Sequence, residues 1–157
     1  MSAHLAADLL MLLLAALLVW AAVGDMRTFN IPNQLNATIA LLAPLYWWAS
    51  GTPLWPDAVL QIGIAVLVFF VLAGAFWIGV MGGGDVKMAP AVLLWFPAAR
   101  ALDFLMIMSI AGGAVTLIAL VLHRMKRREG RPEVPYGVAI AAAGLWLIAE
   151  RYLNQFS

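Results

Sequence analysis

Residues 77–90 read WIGVMGGGDVKMAP. An apolar run ends at Met81, three glycines follow, then Asp85, Val86 and Lys87, and a second apolar run opens at Met88. A turn between two apolar segments needs no carboxylate, so Asp85 asks for a reason. The fold follows from what lies on either side of this junction.

Of the 157 residues, 65% are hydrophobic and 11% charged, and the mean hydropathy is +0.96. A soluble domain averages about 45–50% apolar and about 25% charged residues. The chain has too little polar surface to cover a water-soluble globule, so it is expected to be an integral membrane protein. The net charge of +1 and the scattered basic residues exclude a phosphate-tracking nucleic-acid surface. There is no cysteine, which removes disulfides, thiolate catalysis and cysteine zinc sites. His4 and His123 lie far apart without ligand partners at metal spacing, so neither a metal nor a cofactor is expected.

A bilayer core of about 30 Å takes about 20 apolar helical residues. Leu5 to Val23 satisfies this and, lacking a basic segment before it, is expected to be a permanent span. The polar stretch GDMRTFNIPNQLN, residues 24–36, leads to a span that takes in Leu35 and Asn36 and runs to Ser50. The loop GTPLWPD precedes a long run from Ala58 to Val80. After the glycines, MAPAVLLWFPAA is short and carries Pro90 and Pro97. Phe104 to Leu122 forms a fifth span, and a sixth begins at Val138 and ends near Glu150 and Arg151. The expected fold is an all-α polytopic bundle of about six transmembrane helices, one domain covering residues 1–157.

Lysine and arginine bias orients such a bundle. With six spans, one face receives Arg27, Lys87, Arg124, Lys126, Arg127, Arg128 and Arg131, and the other only Arg100 and Arg151. The richer face is expected in the cytoplasm, which places Trp47, Trp48 and Trp55 at the opposite boundary as interfacial aromatics. The basic cluster from Arg124 to Arg131 reads as this topology signal and as contact with lipid headgroups.

Among the acids, Asp57, Glu129 and Glu133 fall in loops, and Asp8, Asp103 and Glu150 near helix ends. Asp25 and Asp85 differ. Each follows a glycine at a junction between a span and a loop on the richer face, and two spans separate them, so they share that face. Two carboxylates that meet can hydrolyse a peptide bond: one takes a proton from water while its protonated partner polarises the carbonyl. Held together they cannot both ionise easily, so one pKa rises and the pair shares a proton. Gly82, Gly83 and Gly84 lack Cβ atoms, which allows close approach of a substrate backbone and a positive φ in a flexible loop. Arg27 and Lys87 are expected to favour the ionised carboxylates, while partial burial opposes them. On the alternative reading the glycines make a tight turn, Asp85 caps a helix starting near Val86, and Asp25 pairs with Arg27.

At these residues the chain resembles a known family. Gly82-Gly83-Gly84-Asp85 fits the G-x-G-D pattern of intramembrane aspartyl proteases. Asp25, Arg27, Ile31, Pro32 and Asn33 resemble the first-aspartate segment of the type IV prepilin peptidases, and GGGDVKM, through Lys87, resembles their second. VPYGVAI, residues 134–140, is similar to their entry to the last helix. The resemblance implies six transmembrane helices in the bacterial inner membrane. It makes Asp25 and Asp85 the catalytic pair, facing the cytoplasm, and the substrates prepilins or pseudopilins cut just before their hydrophobic helix.

Larger members carry a cysteine-bearing zinc segment and also N-methylate the product. Without cysteines or a comparable insertion, this chain resembles the short peptidase-only type of Flp or Tad pilus systems, and methylation is not expected. Pro135 and Tyr136, with Gly137, are implied as site-lining residues. Pro135 also suits a helix start, where its missing N–H costs nothing, and Pro32 with Asn33 reads as a turn and helix cap. AGGAV at 111–115 permits close helix packing.

Two rival readings stand beside this one. A presenilin-like or signal-peptide-peptidase-like protease shares G-x-G-D, but the IPN segment and the small size favour the prepilin branch. A non-enzymatic proton- or ion-coupled transporter, or a pilus-assembly membrane subunit, would place its acids nearer the bilayer midplane.

Overall fold

The structure is a computed structural model that describes residues 2–125 and 134–154. Six α-helices occupy these residues: α1 (Ser2–Thr28), α2 (Asn33–Ser50), α3 (Val59–Trp77), α4 (Gly83–Leu93), α5 (Ala101–Met125) and α6 (Tyr136–Leu153). No strand occurs among them. Three segments are long and apolar enough to cross a membrane: His4–Thr28, Leu54–Trp77 and Ala98–Met125. Together with the composition they make this an all-α membrane protein. Of the basic cluster, Lys126, Arg127, Arg128 and Arg131 lie outside the described residues, as do Glu129 and Glu133.

Hydropathy places the helices, but local backbone chemistry sets their ends. α1 runs past Val23 and carries Asp25 inside its last turn. Thr28 Oγ1 donates to the Gly24 carbonyl at 3.0 Å, the Phe29 amide donates to Asp25 O at 2.9 Å, and Phe29, at φ 49°, turns the chain out of the helix. α2 starts after Pro32, whose extended backbone (φ −60°, ψ 139°) makes it the cap residue. Gly51, at φ 73°, closes α2 in the left-handed region, as a glycine C-cap does.

α4 is the centre of the molecule. Eleven residues give it a length of about 16 Å, and eight of them are buried. It packs on α2, α3 and α6, while α6 also packs on α1 and α5. The fully buried side chains include Met11, Leu14 and Leu18 of α1, Ile39 of α2, Met88 and Val92 of α4, Trp95, Phe104 and Ile140. By contrast, Leu67, Phe70 and Val71 of α3 and Leu117 and Ile118 of α5 stay exposed, which is the surface that lipid covers in a membrane protein.

Two indoles pin the far end of α4. Trp47 Nε1 donates to Leu94 O at 2.8 Å and Trp95 Nε1 to Ile39 O at 2.9 Å, so α2 and α4 are fastened in both directions. Trp48 and Trp55 are exposed as expected of boundary aromatics, but Trp47 is in the core. Its indole N–H finds a carbonyl there, which an interfacial position would have given it from water. Trp47→Phe leaves the part-buried Leu94 O without its donor. It is expected to lower stability by about 1–3 kcal/mol, read as an earlier thermal transition in detergent; an unchanged transition would show the latch to be idle.

Close packing at the glycine pair of α5 is one-sided. A Cβ at Gly112 would stand 2.8 Å from Tyr136 Cε1, whereas Gly113 faces open space. Gly112 therefore receives the Tyr136 ring and joins α5 to the start of α6.

Candidate active site

The ends of α1 and the starts of α2, α4 and α6 meet at one end of the bundle, where Asp25 and Asp85 are both buried, at 4% and 7% exposure. Asp25 projects from α1 onto the first turn of α6. The Gly137 amide donates to its Oδ2 at 2.8 Å. Helix N-termini leave amides unpaired and carry partial positive charge. Asp25 thus caps α6 from another helix.

Asp85 occupies the third position of α4, after the cap residue Gly82. Its carboxylate accepts from the Gly82 amide, the reach-back half of a capping box. The expected flexible loop is in fact the first helical turn: α4 begins at Gly83, and none of the three glycines has a positive φ. Their missing Cβ atoms serve close packing instead. A Cβ on Gly82 would lie 2.9 Å from Asp85 Oδ2, and one on Gly84 3.1 Å from Ile31 Cβ and 3.3 Å from Ile31 O. Gly83 sits against the Phe76 ring.

Ile31 joins the two halves. It is buried, packs on Gly84 of α4, and its Cδ1 would be 2.6 Å from a Cβ on Gly137 of α6. The turn between α1 and α2 is therefore wedged between the helices that carry or hold the carboxylates. Burial, reinforced by the negative charge of Asp25, pushes the Asp85 carboxyl from its ordinary 3.8 up to about 7. Asp85 Oδ1 is buried and has no hydrogen-bond partner among the described residues. A carboxyl near neutrality with one unpartnered oxygen is suited to carry a proton toward a substrate.

The remaining expected residues divide. Lys87 Nζ donates to Asn33 Oδ1 at 2.9 Å, tying α4 to α2 rather than pairing with either aspartate. Asn33 is the first residue of α2, so the cap position falls on Pro32 and the Asn33 side chain serves Lys87. Arg27 is exposed and makes no hydrogen bond or ion pair among the described residues, so it does not pair with Asp25. A helical turn explains this: residue 27 points about 200° around α1 from residue 25. Pro135 is the cap residue of α6 and Tyr136 its first residue; the Tyr136 ring lies on Gly112 of α5.

In the sequence Asn36 reads only as part of a span. It is buried, and its Nδ2 donates to Gly84 O at 3.0 Å, holding the turn that presents Asp85. The acids at the other end have partners of their own. Arg100 pairs with Asp103 at 2.9 Å and with Glu150, and the Tyr152 hydroxyl donates to Asp8 at 3.2 Å. No group of three metal-ligating side chains occurs among the described residues.

Residues 12–117, which carry both aspartates, match the model of the type IV leader peptidase family. The chain belongs to that family. It is also 30% identical over 151 residues to the prepilin leader peptidase/N-methyltransferases of two strains of Burkholderia pseudomallei, 1026b and K96243. The match covers 90% of this chain and 47% of each relative, so the chain spans about half the length of the curated relatives it matches. No solved structure matches. The family model runs from within α1 through most of α5 and stops short of Gly137, the residue that holds Asp25. As a type IV leader peptidase family member the chain is a membrane protein of a peptidase family, which is the resemblance read from its two aspartate segments.

Proposed function

We propose that this chain is an aspartyl endopeptidase that removes the leader from prepilin-like substrates at the cytoplasmic face of the bacterial inner membrane. The observation that carries the reading is the pair itself. Two buried carboxylates from helices far apart in sequence share one end of the bundle, close enough for the charge of Asp25 to raise Asp85. Family membership supports the substrate class.

The chemistry assigns the proton to Asp85 and the negative charge to Asp25, whose carboxylate is stabilised by the Gly137 amide of α6. Asp25 takes a proton from a water molecule as its oxygen attacks the scissile carbonyl carbon, and Asp85 gives its proton to the carbonyl oxygen. The resulting gem-diol collapses: Asp25 returns its proton to the amide nitrogen, the C–N bond breaks, and Asp85 regains a proton from the diol. Leader carboxylate and pilin amine leave, and the pair returns to its starting state.

The test is processing of a Flp-type prepilin in membranes, read as a gel shift of the shortened product. Without a shift for the wild-type chain with any prepilin of that class, the substrate assignment fails. Protonated Asp85 also sets a pH dependence. Above about 7 the proton-bearing fraction falls about tenfold per pH unit. The turnover rate at pH 9 is expected at about one-hundredth of its plateau. A profile flat from pH 6 to 9 would remove Asp85 from the acid role.

A further inference from the structure

A groove of about 650 Å³ opens between α2, α3 and α4. Its wall is almost wholly apolar, with Ala37 and Ala40 from α2, Ala65 and Phe69 from α3, and Pro90 and Ala91 from α4. These positions recur at helical spacing, so each helix contributes one stripe. The polar residues are gathered at one end, where Asn33, Asn36 and Lys87 line it. That end is the active site: Lys87 follows Asp85 by two residues, and Asn36 holds Gly84.

Its dimensions choose among occupants. Along α2 the lining runs from Asn33 to Trp47, about 21 Å at helical rise. An open groove of that length can receive one face of a transmembrane helix and leave the other face to lipid. Alanines along the wall allow helix axes to approach closely, as small residues do in membranes.

A second observation concerns polarity. Asn36 is 4% exposed, its Nδ2 is committed to Gly84 O, and its Oδ1 is a buried acceptor without a partner among the described residues. A helix N-terminus brings the complementary deficit, amides without acceptors, which is costly in a membrane. Resting on the peptidase reading above, we propose that this groove seats the apolar helix that follows the scissile bond. The N-terminus of that helix lies against Asn36, so its register in the groove sets which bond reaches Asp85. A prepilin supplies such a helix directly after its leader.

Site-specific photocrosslinking tests this in membranes. The full chain carries the catalytic substitution Asp85→Asn, and benzophenone-phenylalanine replaces Phe69 or Ala40 in the groove, or the control Phe70. Phe70 has the same side chain on the same helix, is 67% exposed and does not line the groove. A co-expressed Flp-type prepilin is the probe. The expected result is a prepilin adduct from Phe69 and Ala40 at least tenfold stronger than from Phe70, mapping to the apolar helix beyond the cleavage site. Adducts to lipid alone, adducts to a second copy of this chain, or equal labelling from Phe70 would each overturn the proposal. Processing by the chain with Asp85 intact is scored in the same membranes. Cleavage without groove adducts removes the groove and leaves the peptidase; groove adducts without cleavage do the reverse.

Discussion

Asp25→Asn and Asp85→Asn are each expected to lower prepilin processing by about 100- to 10,000-fold, the range set by losing a general acid or base. Protein level in the membrane should stay unchanged. An asparagine oxygen still accepts from the Gly137 amide at position 25 or the Gly82 amide at position 85, so both helix caps survive. What disappears is a group that can gain or lose a proton. Retained processing in either variant would sink the two-aspartate mechanism.

Thermal stability separates Asp85→Asn from a simple folding defect. Because the folded-state value of Asp85 is raised from 3.8 to about 7, its protonated form favours folding. That contribution is complete below 3.8 and is lost as pH rises to about 7. At about 1.36 kcal/mol for each pH unit of difference, the ceiling is about 4 kcal/mol. Asp85→Asn escapes this loss. Relative to the wild type it should melt higher at pH 8 than it does at pH 4. A variant that melts lower at pH 8 than at pH 4, relative to the wild type, would show that the buried charge is not what separates them.

Gly137→Ala is the second large effect. The added Cβ would stand 2.6 Å from Ile31 Cδ1, 2.9 Å from Asp25 Oδ2 and 3.1 Å from Asp25 Cγ. Ile31 Cδ1 ends a flexible side chain that can turn aside, but Asp25 Oδ2 is held on the Gly137 amide itself. Asp25 or the first turn of α6 must therefore shift. Misplacing a reacting group by about 1 Å costs on the order of 100-fold in rate, and overpacking costs about 1–3 kcal/mol in stability. The expected result is a fall in kcat of about that size with an earlier thermal transition. Gly24→Ala is the matched comparison: it adjoins Asp25 in α1, but its Cβ meets nothing within 4 Å. Equal activity for the two variants would mean that crowding at Asp25 does not matter.

Much of the architecture is legible because it is local. Apolar runs long enough to cross a bilayer identify α1, α3 and α5 without reference to one another, and counting the spans between Asp25 and Asp85 already puts them at one end. The helix ends are less legible. α1 continues through Gly24 and Asp25 because Thr28 bonds back to the helix and Phe29 turns it off, and the glycine run is helical because Asp85 reaches back to Gly82. Those outcomes depend on single hydrogen bonds that composition does not encode.

By itself the sequence determined that this is a helical membrane protein with two glycine-flanked aspartates on one side, since hydropathy, span parity and the two aspartate segments are readable in one dimension. Only the tertiary structure decided what each side chain faces. Gly137 meets Asp25 across 112 residues, Ile31 fills the space between α4 and α6, Trp47 turns into the core, and Arg27 turns out. Each depends on how a helix is rotated against its neighbours. That rotation is fixed by the packing of whole faces, at bundle-wide distances where residue spacing along the chain carries no information.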